Sequence, residues 1–427
     1  MRGLFWVVCA SYGLSVLAPV APAAEPFRYR AGEHGKGKLT HLDGVPVLIL
    51  QGSPAEMGEQ TGVLAARQAK PLFDFPRDYF LGECATEFRR TNPTWPEQGA
   101  QFKLALGAAE LTLWPLVQRK AARLEANFPA AYRAELKALA DAAGKGVVSH
   151  DRLVASNGLF DLGHVPQAEL MRGCSSLVIP PRLSATKGVL FGRNLDFFHF
   201  GYLHQYSLLM VYRSDDPKKH SFASAGFPGL VGCVTGMNDA GLTVASHEVQ
   251  DPDTATPFDP KGVPFAMTHR RVLEECATVG DALKLLDGME RASVTSLVVA
   301  DTEGGAVIEV TPETLAVRRF KDKPGVCTNH FCVMRNPNLK EKFDTFKRFD
   351  ELTQSTPAKG VEVFGVGDVQ KRLHAVRLFD DKKADLTIQT FVFEPAERKV
   401  HLRFGDGNGP ATAGKLTTVD LAKLWGK

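Results

Sequence analysis

No C-x-x-C pair and no cysteine–histidine cluster with zinc spacing occurs in this chain, so the sequence offers no signature of a structural zinc site. Seven cysteines scattered through 427 residues are too sparse for a disulfide scaffold. Excess charge is also missing. The 51 Lys and Arg nearly cancel the 48 Asp and Glu, leaving +3, and no basic run exceeds a few residues. Nucleic acid and acidic membrane surfaces are therefore poor partners. Beyond the first two dozen residues no segment approaches ~18 uninterrupted apolar residues, which excludes a readable membrane span. Internal repeats and low-complexity linkers are absent as well. What remains is a globular composition, 44% hydrophobic and 23% charged, with length for a large core and one to three domains.

The first residues differ from the rest. Arg2 precedes an apolar stretch from Leu4 to Leu17, and Ala21-Pro22-Ala23-Ala24 follows. A charged start, a short apolar middle and an A-x-A site read as a secretory signal peptide spanning residues 1–24. An N-terminal membrane anchor is the alternative, but Ser11, Gly13 and Ser15 interrupt the apolar run. The expected product is exported, secreted or periplasmic. Cys9 leaves with the signal; Cys84, Cys174, Cys233, Cys276, Cys327 and Cys332 stay. Cys327 and Cys332 are close enough in sequence to pair, and free buried thiols fit equally well.

From 53 to 165 the pattern is mostly helical, after a strand over His41–Leu50. Ser53-Pro54-Ala55-Glu56 has an N-cap, a proline at the first helical position and the glutamate of a capping box. Residues 98–128 read as one or two helices broken near Trp114-Pro115. Tyr132, Leu136 and Leu139 lie on one helical face that ends at Gly144, and a further helix runs from near Ser149 to Asn157. At Gly173 the period changes from helix to strand. Strands are expected at Leu177–Ile179, Val189–Phe191, Tyr206–Tyr212, Val231–Val234 and Leu242–Ala245, the last two around a turn at Gly236–Gly241. Helices at 266–276 and 280–287, a hairpin of Ser296–Ala300 with Ala306–Val310, a strand at Ala316–Phe320, a helix over 340–353 and a hairpin of Thr387–Phe393 with Val400–Phe404 complete the pattern. Strands with helices before and between them predict an α+β fold in packed layers.

The change of period coincides with a chemically suggestive dipeptide, Gly173-Cys174. Glycine has no Cβ, so its carbonyl can turn toward an attacking group at low steric cost, and a cysteine beside it can supply that thiolate. Three other stretches put polar groups beside apolar segments: Gly192-Arg193-Asn194-Leu195-Asp196, Cys327-Thr328-Asn329-His330-Phe331 and Phe346-Lys347-Arg348-Phe349. Each has a plain reading too. Cys174 can be a small core residue, Arg193 with Asp196 an ion pair, Asn329 a turn residue, and Arg348 a solvated helix residue.

In this order the motifs resemble the cysteine-dependent N-terminal-nucleophile hydrolases, specifically the acyl-coenzyme A:6-aminopenicillanic acid acyltransferase family of fungal isopenicillin N acyltransferase. Gly173-Cys174-Ser175-Ser176 is similar to the family's self-cleavage site, and Gly192-Arg193-Asn194-Leu195-Asp196 to its Gly-Arg-Asn-x-Asp motif. Gly236-Met237-Asn238-Asp239-Ala240-Gly241-Leu242 resembles a turn shared with bile-salt hydrolases, and Thr328-Asn329-His330-Phe331 resembles the Thr-Asn-His-Phe motif. The segment from Leu50 to Gly58 resembles the opening of these pro-regions.

The resemblance implies a four-layer αββα fold and one precursor cut into two chains, a helical pro-region of residues 25–173 and a catalytic chain of residues 174–427. It implies that Cys174 becomes the N-terminal nucleophile once the Gly173–Cys174 bond breaks. Asp196 would then hold the new α-ammonium, Arg193 would favour thiolate, and Asn329 would stabilise the oxyanion. Arg348 would be the distal arginine, with Lys347 as the alternative register. Bile-salt hydrolases carry an Asn where this chain has Ser246-His247-Glu248; Glu248 is the candidate for the site and His247 its rival. Asn238 is expected to shape its turn. No cofactor and no metal is implied. The expected partners are an N-acyl amide substrate and the cleaved pro-region. The alternatives are an ester hydrolase resembling phospholipase B and an unprocessed, non-catalytic binding protein.

Overall fold

The computed structural model describes residues 27–97, 99–162, 173–249, 253–336, 344–354, 363–380 and 385–426. The 1–24 signal segment lies outside the described residues, as do residues 163–172 ahead of Gly173 and the first turn of the helix expected from 340.

Before Gly173 the chain forms strands β1 (Gly32–His34), β2 (Gly37–Leu42) and β3 (Val45–Gly52). Helices α1 (Pro54–Thr61), α2 (Phe75–Thr91), α3 (Ala100–Thr112), α4 (Trp114–Leu124), α5 (Ala130–Ala143) and α6 (His150–Leu162) follow. From Cys174 onward come β4 (Cys174–Ile179), β5 (Leu190–Phe198), β6 (Leu208–Ser214), β7 (Phe222–Gly226), β8 (Thr235–Asn238) and β9 (Thr243–His247). Next are α7 (Phe265–Glu275), α8 (Val279–Asp287), β10 (Thr295–Ala300), β11 (Gly305–Val310), β12 (Leu315–Phe320) and β13 (Gly325–Cys327). The chain closes with α9 (Asp344–Gln354), α10 (Val366–Ala375), β14 (Phe379–Asp380), β15 (Asp385–Glu394), β16 (Lys399–Phe404), β17 (Thr417–Asp420) and α11 (Leu421–Trp425).

These strands make two sheets. One runs β1-β2-β3-β6-β7-β8-β9-β10-β11-β12; the other runs β13-β4-β5-β15-β16-β17, with β14 on β15. Alternation decides what each face meets. Val47, Val211 and Val298 of the first sheet pack between the sheets with Val178, Phe191 and Phe391 of the second. Their neighbours Leu48, Met210 and Leu297 face outward, in one cluster with Met57 of α1 and Val272 of α7. On the far side Leu177, Ile179 and Val392 meet Val369 and Leu373 of α10. Gly192 makes that approach possible, because a Cβ there would sit 2.5 Å from Val369 Cγ1. The result is the expected αββα layering.

The segment before Gly173 is mostly helical but is not a separate body. β3 pairs in parallel with β6, Val47 opposite Leu209 through Gly52 opposite Ser214, so residues from both sides of Gly173 share one ladder. Ser53 caps α1 in a full capping box with Glu56. The face Tyr132, Leu136, Leu139 of α5 is buried, and Gly58 lets α1 cross it: a Cβ at Gly58 would lie 2.2 Å from the Glu135 carbonyl oxygen.

Two expected strands shift. The one read over His41–Leu50 splits, because Asp43 and Gly44 take positive φ (46° and 86°) and turn the chain between β2 and β3. The one read at Val231–Val234 begins instead at Thr235. Side chains hold the Val231 backbone out of the ladder: its N–H donates to Asn157 Oδ1 at 3.0 Å, and its carbonyl accepts from Arg270 at 2.8 Å. Asn238 does shape its turn, accepting from the N–H groups of Ala240 and Leu242 (3.2 and 2.9 Å) while donating to the Leu273 and Cys276 carbonyls (2.9 and 2.7 Å). All six cysteines after Cys9 are free thiols.

Candidate active site

Cys174 opens β4, which lies between β13 and β5 in its sheet. That position gathers the separated motifs. On one side Cys174 pairs with Leu195 and Ser176 with Arg193; on the other Ser176 pairs with Cys327, two residues before Asn329. The pairing reaches one residue past the bond of interest, since the Asp196 N–H donates to the Gly173 carbonyl at 3.0 Å.

Around that bond the polar groups converge. The Cys174 N–H donates to Asn329 Oδ1 at 2.7 Å. Arg348, buried on α9, donates to the Cys174 carbonyl at 2.8 Å, to Ser175 Oγ at 2.9 Å and to Asn329 Oδ1 at 3.0 Å. Its charge is balanced by Asp344 one turn earlier, at 3.2 Å. The guanidinium also presses on Gly173, where a Cβ would come within 2.5 Å of it. Lys347, the alternative register, points into solvent.

Both ends of the Asn329 amide are engaged. Two donors face its oxygen, and its Nδ2 donates to the Glu248 carbonyl at 2.8 Å. In the intact chain its acceptor, not its donor, meets the nucleophile. Its own N–H is held by Thr345 Oγ1 at 2.8 Å, and the following loop is pinned where the N–H groups of Cys332, Val333 and Met334 converge on the Glu309 carboxylate (2.6, 3.0 and 2.8 Å).

Two buried groups carry unspent hydrogen-bonding capacity. Arg193 is fully buried, yet its Nε and Nη2 have no partner; Asp196 Oδ2 has none either, while Oδ1 accepts from Thr387 at 2.6 Å. Such orphaned groups are rare in folded proteins and mark places where something else binds or reacts. Burial pushes the Asp196 carboxyl up to about 6, against the pull of Arg348 and the Thr387 hydrogen bond. Burial also raises the Cys174 thiol, opposed by Arg193 and Arg348. A thiol held neutral in this way needs a base before it reacts.

His247 and Glu248, neighbours in sequence, face different places. The His247 ring lies against Ser176 Oγ at 2.8 Å and Arg193 Nη1 at 3.3 Å, between the sheets. Burial and the two arginines hold its pKa far below the ordinary value, which favours the neutral ring. Glu248 instead lines a cavity of about 160 Å³ that reaches Cys174 and Arg193. The rest of the wall is almost wholly apolar. Leu195, Phe197 and Ile388 come from one sheet, and Leu72, Phe75 and Phe160 from the segment before Gly173. Ser175 stands inside the Gly-Cys-Ser-Ser stretch, whereas no motif in the sequence marks Thr345, Thr387 or Asp344.

The model of the family described as acyl-coenzyme A:6-aminopenicillanic acid acyl-transferase matches residues 184–408, more than half of the chain. No curated protein sequence matches. Solved structures that resemble it include a single-residue variant of conjugated bile acid hydrolase from Clostridium perfringens (16% identity, 60% of this chain and 95% of that one, TM-score 0.44). Others are penicillin V acylase from Agrobacterium tumefaciens (17%, 58% and 87%, TM-score 0.41) and the Caenorhabditis elegans ortholog of N-acylethanolamine-hydrolyzing acid amidase (16%, 52% and 93%, TM-score 0.39).

Proposed function

Because the chain belongs to the acyl-coenzyme A:6-aminopenicillanic acid acyl-transferase family, we propose that it is an exported, self-processing cysteine amidohydrolase that uses Cys174 as nucleophile. The observation that carries this reading is the convergence of Asn329, Arg348 and the Asp196 N–H on the two peptide groups flanking Cys174, at the wall of an apolar cavity.

In the first event Cys174 Sγ attacks the Gly173 carbonyl carbon. Negative charge develops on the oxygen that already accepts from the Asp196 N–H. The C–N bond breaks, the nitrogen keeps the thiol proton as a free α-amine, and water then hydrolyses the thioester, leaving a carboxylate on Gly173. The α-amine has an ordinary pKa of about 7.7–8, so near neutral pH it can take the proton of its own thiol. Asp196 Oδ2 and Asn329 Oδ1 are the acceptors that hold the ammonium form. Arg193, with free N–H groups beside Sγ, favours the thiolate.

Turnover repeats the chemistry on a substrate. Sγ attacks an N-acyl amide, the C–N bond breaks, the amine departs with the proton, and an acyl-thioester remains on Cys174. Water completes hydrolysis; an amine acceptor would complete transfer. Water is the abundant acceptor for an exported enzyme. Asn329 supplies the oxyanion contact once its Nδ2 leaves the Glu248 carbonyl, and Glu248 lines the path to the nucleophile.

Rapid acid quenching of a reaction with an N-acyl amide tests this. The Cys174–Lys427 chain is expected to carry one acyl mass, and Cys174→Ala is expected to neither acylate nor turn over. Turnover by Cys174→Ala would end the proposal, and turnover confined to esters would replace it with the ester-hydrolase reading.

A further inference from the structure

The cavity beside Cys174 is built from both sides of Gly173. Leu195 is the ladder partner of Cys174 on β5, and Phe197 follows it on the same face of the strand; both line the wall. Against Phe197 the earlier segment sets further rings. Tyr79 of α2 stacks on it (centroids 5.8 Å apart, planes 3° apart), and Phe75 and Phe160 lie 5.9 and 5.7 Å away. Phe75 and Phe160 line the cavity with Phe197, and Tyr79 ties them together, meeting Phe160 edge-on at 5.4 Å.

This wall is fixed in place. Asn157 and Asp161 flank Phe160 on α6: Asn157 Nδ2 donates to the Gly229 carbonyl at 2.7 Å, and Asp161 Oδ1 accepts from the Phe265 N–H at 3.0 Å. Gly229 and Phe265 are themselves lining residues. Gly229 takes a positive φ of 95°, and a Cβ there would sit 2.8 Å from Leu153 Cδ2 and 2.9 Å from Phe73 Cε1, so glycine lets these two earlier side chains close on its loop. α2 is tied to the turn after β5, where Tyr202 Oη donates to Asp78 Oδ2 at 2.6 Å.

Size limits what the cavity can hold. At about 160 Å³ it falls short of the ~300–1,000 Å³ that takes a whole drug-sized ligand. It matches an engineered cavity of ~150 Å³ in another protein, likewise walled by Leu, Ile and Phe, that accepts benzene. An apolar wall offers little to a departing amine, whose nitrogen needs hydrogen-bond partners. The tail of an acyl group needs none, and it stays attached to Cys174 through the thioester. We infer that this cavity is the acyl pocket, that it takes one phenyl ring or an acyl chain of about six to eight carbons, and that Phe160, from the segment before Gly173, is a side chain that limits the acyl length. The inference rests on the amidohydrolase reading and deepens it: N-acetyl amides and long-chain fatty amides are both poor substrates.

A series of N-acyl glycinamides with one constant amine tests this, running from acetyl through hexanoyl, octanoyl and phenylacetyl to hexadecanoyl, with glycinamide release measured on purified wild type. From acetyl to hexanoyl kcat/KM is expected to rise at least about threefold per methylene. Phenylacetyl should lie near the maximum, and hexadecanoyl about tenfold or more below it. Phe160→Ala opens the wall and is expected to move the optimum to acyl chains longer by about two to four carbons. Phe160→Leu gives a smaller shift the same way and serves where the alanine variant folds poorly; an optimum is a ratio within one protein, so a lower folded fraction does not move it. Rates that are flat across the series, highest for acetyl or still rising at hexadecanoyl would overturn the inference while leaving the amidohydrolase reading intact. An optimum unmoved in both variants would remove Phe160 from the pocket wall. Wild type that cleaves no member of the series would contradict the amidohydrolase reading and this inference with it.

Discussion

Asn329 stands where two requirements meet, because the same amide accepts from the Cys174 N–H and donates to the Glu248 carbonyl. The two functions can be separated chemically. Asn329→Asp keeps an acceptor for the Cys174 nitrogen and loses the donor; Asn329→Ala loses both. We expect Asn329→Asp to cut itself and then turn over an N-acyl amide about 10²-fold or more below wild type, the usual loss for a missing oxyanion donor. Asn329→Ala should show the same turnover defect and slower self-cleavage as well, read from a gel time course alongside initial rates. Full turnover by Asn329→Asp would remove the donor role. At this scale Gly173, Cys174, Arg193, Asp196 and Asn329 all fall within recognisable motifs, and the fold brings those motifs together. Thr345 and Thr387 were not legible. Their hydroxyls act only because α9 and β15 bring them to Asn329 and Asp196, and nothing local in the sequence marks a threonine for that work. The choice between His247 and Glu248 was open for a related reason. Adjacent strand residues point to opposite faces, and which face opens on the cavity depends on the partner sheet.

Elements with strong local signals were read well, and those defined by tertiary contact were not. The capping box before α1 and the buried stripe of α5 are local facts. β8 is not, since Asn157 and Arg270 hold Val231 away from the ladder from distant points in the chain. α2 carried no helical stripe because it buries little, only Phe75, Pro76 and Phe88, and yet its Tyr79 stacks on the cavity residue Phe197. The crossing of α1 over α5 is the clearest element-scale test. A Cβ on Gly58 would meet the backbone of Glu135 at 2.2 Å, and backbone cannot rotate aside as a side chain can. Gly58→Ala is therefore expected to destabilise by about 1–3 kcal/mol, the usual range for overpacking. It should lower the thermal midpoint while the folded fraction keeps wild-type turnover. An unchanged midpoint would mean that the two helices have room to separate.

Across the whole molecule the question is whether the segment before Gly173 would remain bound once the proposed cut is made. Among the described residues its attachments to the segment from Cys174 onward include the β3–β6 ladder, Asn157 on Gly229 and Val231, Asp161 on Ser293 and Phe265, and a buried charge cluster. In that cluster Arg270 of α7 pairs with Glu135 of α5 at 2.7 Å and Glu274 at 2.8 Å. Its guanidinium lies 4.3 Å from the Tyr132 ring centroid and 4.6 Å from that of Tyr212. Removing one partner of a buried pair strands the other charge and typically costs about 3–5 kcal/mol. Glu135→Gln should accordingly release the pro-region from processed protein at lower denaturant than wild type, seen as separation of the two chains on size exclusion. Co-elution indistinguishable from wild type would show that the pair contributes nothing to retention. All of this presupposes the cut itself, and the intact mass of purified protein under denaturing conditions tests it most directly. The account predicts a chain running from Cys174 to Lys427 and a second ending at Gly173 in the wild type, with a single uncut chain in Cys174→Ala. A wild type that stays in one piece and is fully active, or a Cys174→Ala protein that is cut at the same bond, would contradict it.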